Sequence, residues 1–295
     1  MFRKQTLQTW MVFISAGVII GMLAGCAAKT ASPWGDPKTG LILQYRMDEN
    51  QVLKYQTSAE QTQDIEVMGQ AISTETTSAS AFSVKSKGLK ENNHLLHVTI
   101  DSMSINVSSP QGDLSPDLSS VIGESFEMIL SPLGRELDVS GAASIKYEMG
   151  QAGSRSVESN FQTVFPDLAD RPVKIGDTWP STDTITEKTG MGEILLNFES
   201  INTLEGFETV DGLECIKVTA KVTGTLDGKG EQMGVEMSFK GDIEGTETWY
   251  FAYKEGIFVK GIVTAHTDAT ITTSGVQAMT IPLKQETKME TKLVK

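Results

Sequence analysis

Residues 94–107 read His-Leu-Leu-His-Val-Thr-Ile-Asp-Ser-Met-Ser-Ile-Asn-Val. The apolar side chains fall on even positions at Leu96, Val98 and Ile100, then on odd positions at Met103, Ile105 and Val107. Successive side chains of a strand point to opposite faces, so one extra residue near Asp101 and Ser102 would bring both sets to a single face. The stretch predicts one long strand with a β-bulge at that point, and bulges bend strands.

The same period of two, rich in Thr, Val, Ile and aromatics, runs outward in both directions. Leu41, Leu43, Tyr45 and Met47 share one face of a first strand. After the polar turn Asp48-Glu49-Asn50, Leu53, Tyr55, Thr57 and Ala59 share one face of a second that runs on to Val67, and 72–84 forms a third. Residues 108–120 carry two prolines and read as a loop, and 126–139 reads as a hairpin across Ser131-Pro132-Leu133-Gly134. Further strands are expected at 193–204, 213–223, 233–240, 246–253, 257–272 and 278–289. The hairpins of 126–139 and 248–259, with turns ending in Gly134 and Gly256, echo one another weakly.

The middle breaks the pattern. Residues 142–150 suggest a short helix, and Val157, Phe161, Val164, Phe165 and Leu168 recur at helical spacing, which predicts a second helix lying across the sheet. The expected fold is mainly β: a large curved antiparallel sheet, half-barrel-like, of about twelve strands with one or two helices inserted midway. Two tandem β domains are the alternative, with halves 41–140 and 171–295 joined by 141–170.

At the amino end, Arg3 and Lys4 precede an uncharged apolar run that closes on Leu23-Ala24-Gly25-Cys26. This order resembles the lipobox signal of bacterial lipoproteins. The resemblance implies cleavage between Gly25 and Cys26, a diacylglyceryl group on the Cys26 thiol and an acyl chain on its new amine. Residues 1–25 are then signal peptide, 26–40 a flexible tether with two prolines and two glycines, and 41–295 the β-rich domain. Residues 10–28 are also long enough to span a bilayer uncleaved. Ala27, and not Asp, follows Cys26, so the resemblance implies a cell-envelope location, on the outer membrane facing the periplasm where the host has one. Phe165-Pro166-Asp167-Leu168 and 171–179 resemble a phrase of β-rich bacterial lipoproteins with no assigned activity. The order of elements resembles the carriers that localise bacterial lipoproteins, and related mycobacterial lipoproteins, which would imply a curved sheet wrapped round an apolar cavity and covered by helices. On that reading Val157, Phe161, Val164, Phe165 and Leu168 are the ligand lid.

Charge and cysteine usage narrow the partners. Loss of Arg3 and Lys4 with the signal takes the net charge from −13 to −15, with 23 basic side chains against 38 acidic. Such a body is repelled by phosphate backbones, which excludes nucleic acid, and contact with the membrane falls to the lipid. With Cys26 acylated, Cys215 has no partner for an intrachain disulfide, and its strand context predicts a buried, unreactive thiol. No Gly-x-Ser-x-Gly elbow, Ser-x-x-Lys pair, phosphate loop or paired-cysteine motif is present, so no enzyme activity and no cofactor is expected. His94 and His97 fall on opposite faces of a strand, and Asp227, Asp242, Glu244 and Glu247 lack the spacing of a calcium loop, so no metal is expected. Two functions remain: a module that binds an apolar molecule such as a lipid, and a structural or protein-interaction lipoprotein of the envelope.

Overall fold

The computed structural model describes residues 32–150, 153–190, 192–232, 234–275 and 278–294. Cys26, Gly25 and the signal segment lie outside them. The strands are β1 (Gly35–Asp36), β2 (Gly40–Leu41), β3 (Val52–Val67), β4 (Gln70–Lys90), β5 (Asn93–Ser108), β6 (Ser125–Leu130), β7 (Glu136–Asp138), β8 (Lys146–Glu148), β9 (Ser154–Ser156), β10 (Thr178–Thr189), β11 (Gly192–Val210), β12 (Leu213–Gln232), β13 (Val235–Ala252), β14 (Ile257–Thr273) and β15 (Thr280–Val294). The first two form a small sheet of their own. The other thirteen form one antiparallel curled half-barrel in the order β7-β6-β5-β4-β3-β15-β14-β13-β12-β11-β10-β9-β8.

Local chemistry sets the hairpins. Asp211 and Gly212 join β11 to β12 with φ of 49° and 81°, the two-residue turn whose twist matches that of flanking strands. Curling follows from register shifts. Ser102 pairs with Ala81 and Ile100 with Phe82, which leaves Asp101 as the extra residue at the position that the alternation predicted. Further shifts stand at Leu204/Gly206 and Tyr250/Phe251. The two halves of the chain meet where β15 pairs with β3, from Leu283 opposite Ile65 to Val294 opposite Lys54. One continuous sheet, and not the tandem-domain alternative, is formed.

The concave face is packed at one end and open toward the other. Leu96, Val98 and Ile100 are buried, whereas Met103, Ile105 and Val107, beyond the bulge, are only partly so. The packed end is filled by two segments that cross it. Residues 41–47 keep the expected alternation, with Leu41, Leu43 and Tyr45 buried, but past Leu41 they do not join a sheet. They form a strap: Tyr45 N donates to Pro132 O (2.8 Å), Arg46 N to Gly256 O (2.9 Å), and His94 Nε2 to Tyr45 O (3.0 Å). Both echoing hairpin turns therefore grip the strap. The expected tether is also folded in its described part: Ile42 N donates to Trp34 O (3.0 Å), and Trp34 packs on the main core.

The second crossing segment corrects the helix expectation. Residues 142–150 form a 3₁₀ turn at Ser140–Ser144 followed by β8, and 157–168 hold only a 3₁₀ turn at Glu158–Phe161. Backbone donors that an α-helix would use internally go elsewhere: Phe165 N to Glu136 Oε1 (2.8 Å) and Leu168 N to Leu133 O (2.7 Å), while Val157 N donates to Ile145 O (3.1 Å). Pro166 also disfavours helical φ and ψ at Phe165. The helical spacing of apolar residues here reflects anchors of an irregular plug. Cys215 lies in a satellite cluster with Ala252, Ile257 and Val259, where burial pushes its thiol up to about 11.

Candidate functional site

The alternation that builds the sheet also chooses what points into the half-barrel. On β13 the phase of Ile243, Trp249 and Phe251, all buried, is shared by Glu247. On β10 the phase of buried Trp179 and Ser181 is shared by Asp183. Two carboxylates are thus carried onto an inner face shared by apolar side chains and by Ser181, Ser200 and Asn202.

Between this face and residues 159–167 lies a cavity of about 350 Å³. Val164, Phe165, Ile185, Phe198, Val263 and Met289 supply apolar wall, and Asp167, Asp183 and Glu247 also line it. A second cavity of about 240 Å³, which shares Thr57, Asn160 and Met289 with the first, lies against Val157 and Phe161. The proposed lid residues are therefore walls from the plug side. Val157 and Phe161 face one space, Val164 and Phe165 the other, and Leu168 is buried in the core without facing either.

The polar groups at the floor of the first cavity are tied down. Asn202 Nδ2 donates to Ser181 Oγ (3.1 Å) and to Trp179 O (3.4 Å), and its Oδ1 accepts from Trp249 Nε1 (3.3 Å). Trp179 Nε1 donates to Asp167 O (3.1 Å), and the two tryptophan rings meet edge to face at 6.0 Å. This network locks the aromatic floor, since each buried donor has found an acceptor.

The carboxylates are treated differently. Asp167 has 9% of its side chain exposed and pairs with Arg135 Nε at 3.4 Å, while its Oδ2 accepts no hydrogen bond. Glu247 neither accepts a hydrogen bond nor pairs with a cation among the described residues, and Asp183 accepts no hydrogen bond but feels the charge of Arg135. Burial, reinforced by the charge of Asp183, pushes Glu247 up to about 7. Burial and Asp183 push Asp167 to about 6 against the opposing pull of Arg135, and burial raises Asp183. Where burial outweighs the available partners, a carboxyl favours the neutral acid in this way.

A stability consequence follows. The folded pKa of Glu247 stands above its ordinary 4.5, so the native state holds the proton more tightly than the unfolded chain does. Its penalty is absent below about pH 4.5, grows as the pH rises toward 7, and is complete above that. Glu247→Gln is expected to raise unfolding free energy at pH 8 by about 1–3 kcal/mol and to change it little at pH 4. Urea titrations of both chains at the two pH values check this. Equal midpoint shifts at both would show that Glu247 does not carry the penalty.

The other sequence candidates separate. His94 faces inward and is buried, and His97 points away from it. His266 lies between Glu286 (2.6 Å) and Asp268 (3.0 Å), exposed on the sheet. Asp227, Asp242 and Glu244 are exposed, so Glu247 alone of that acidic set enters the half-barrel. No group of three or more His, Cys, Asp or Glu among the described residues is arranged to hold a metal ion.

No family model matches the chain, and no curated protein matches it. Among solved structures, the chain is similar to an outer membrane channel of Pseudomonas putida, COG4313, at 9% identity over 85% of this chain and 97% of that one, with a TM-score of 0.27. It is similar to a DUF1329 family protein of Desulfovibrio piger at 12% identity over 79% and 83%, with a TM-score of 0.16. A third is OccAB4 of Acinetobacter baumannii, at 9% identity over 84% and 99%, also with a TM-score of 0.16. Likeness at these TM-scores assigns neither a shared architecture nor a role.

Proposed function

We propose that this chain is a non-catalytic lipoprotein of the bacterial envelope that holds an apolar small molecule inside its curled sheet. The observation that supports the reading most is the cavity of about 350 Å³ left between the inner face of the sheet and the 159–167 plug, walled by Phe165, Ile185, Phe198 and Val263. A filled core leaves few voids larger than a water molecule. This space is within the range of small-molecule sites, which are mostly apolar with a few placed polar groups. Anchoring follows from the lipobox resemblance: Cys26 carries the lipid, and the acidic body stands off the membrane.

Native mass spectrometry of Ser32–Lys295, one compact unit, is expected to show a co-purifying apolar molecule or uptake of an added fluorescent acyl probe. The bare mass alone, with no uptake, would favour the structural reading, in which the envelope partner is another protein. Cys26→Ser is expected to abolish acyl labelling and leave the precursor uncleaved. Normal labelling of that variant would overturn the anchor.

A further inference from the structure

The 159–167 cavity carries a chemical bias that an acyl-chain site does not need. Asp167, Asp183 and Glu247 all line it, and no Lys, Arg or His does. Asp167 has a cation in Arg135, which approaches it at 3.4 Å. Glu247 has none. Its partly buried side chain lies against Gly261, where an added Cβ would stand 3.6 Å from Oε1, and it accepts no hydrogen bond from any described residue. A buried carboxylate without a partner is unfavourable, and a second one nearby makes it more so.

We infer that the cavity binds an organic cation, an ammonium group on an apolar body, with Glu247 and Asp183 receiving the charge. The inference rests on the small-molecule reading above and names the class of molecule. Two features favour an ammonium over a metal ion, and the acidic lining disfavours a fatty acid. The carboxylates do not converge with a third ligand in metal geometry among the described residues. About half of the wall is apolar, with Val164, Phe165, Ile185, Phe198, Val263 and Met289 giving a hydrocarbon body a surface to pack on, and Ser181, Ser200, Asn202 and Thr291 are among the polar remainder. A fatty acid would bring a fourth carboxylate to three. Arrival of a cation ionises Glu247 and gives it the partner that the fold withholds, so binding is stronger for the cation than for its neutral isostere.

The test is calorimetric titration of the full chain in lipid nanodiscs, with empty nanodiscs subtracted, using hexylammonium, hexanol and hexanoate. The expected result is hexylammonium binding at least about tenfold tighter than hexanol, as an added charge-assisted contact would give, with hexanoate the weakest. Glu247→Gln should remove the preference for the ammonium and leave hexanol binding as in the parent. Asp183→Asn should reduce the preference in the same direction and serves if the first variant does not fold. Equal affinity for hexylammonium and hexanol in the parent would overturn the cation assignment while leaving the small-molecule reading standing. Binding of none of the three would overturn both. A loss shared equally by all three probes in Glu247→Gln would also overturn the assignment, since it would reflect a changed cavity and not a lost charge.

Discussion

Replacing Phe161 by alanine is expected to destabilise the body by about 3–5 kcal/mol, the range for emptying a buried aromatic site. Phe161 is 5% exposed and meets Phe82 edge to face at 5.3 Å and Phe126 at 4.9 Å. Those rings come from β4 and β6, so the one side chain fastens the plug to two strands. The plug has few regular backbone bonds of its own to hold it, and the neighbouring ring of Phe165, against Tyr45, Tyr55 and Phe258, cannot shift to fill the void without giving up its own contacts. Urea unfolding gives the measurement, with the slope against denaturant unchanged if the native state stays compact. Phe161→Leu should cost much less, because most of the volume remains. A loss below about 1 kcal/mol for the alanine variant would mean that the plug is a loose lid and not part of the core.

The second large effect is expected at Gly256, in the turn between β13 and β14. Its φ is +75°, and a Cβ there would stand 2.7 Å from Arg46 Cβ, 2.8 Å from Arg46 N and 2.8 Å from Gln44 O. Two of these three atoms are backbone of the strap, and the Gly256 carbonyl accepts the Arg46 N–H at 2.9 Å. An added methyl group must push the strap away and break that bond, in addition to the roughly 1 kcal/mol of holding alanine at positive φ. Gly256→Ala is therefore expected to cost about 3 kcal/mol or more. Gly69→Ala isolates the conformational part, since Gly69 has φ +78° with nothing within 4 Å of the added carbon. It should cost only about 1 kcal/mol. Equal losses at the two positions, measured as urea midpoints, would show that the strap is not what Gly256 protects.

Several features were legible because they depend on neighbours in the chain. The phase change between Ile100 and Met103 located the extra residue at Asp101. The alternation of Leu41, Leu43 and Tyr45 marked the buried face correctly, although the strand it predicted joins no sheet past Leu41. The Gly134 and Gly256 turns were matched before both proved to hold the strap. Glu247 was legible too, though its part in a site was not anticipated: it shares a phase with Trp249 and Phe251, which marks it as inward, whereas Asp242 and Glu244 fall with solvent-facing neighbours or on the opposite phase. The signal lay in the alternation of its own strand and not in any acidic motif.

Residues 157–168 were misread as a helix for an identifiable reason. Apolar spacing reports which residues are buried, and it converts to helix only if the backbone bonds close locally. Here Glu136 and the carbonyl of Leu133 take those donors, and they are remote in sequence. By itself, then, the sequence determined the mainly β class, the shared faces of 53–59 and 94–107 and the place of the bulge, since period and turn chemistry act over a few residues; β10, which carries Asp183, was not read as a strand. Only the tertiary structure decided that β15 pairs with β3 into one sheet, that 41–47 is a strap and 157–168 a plug, and that Asp167, Asp183 and Glu247 line one cavity. Those outcomes depend on which distant backbone groups find each other and on the curvature of the assembled sheet, and no local pattern carries that information.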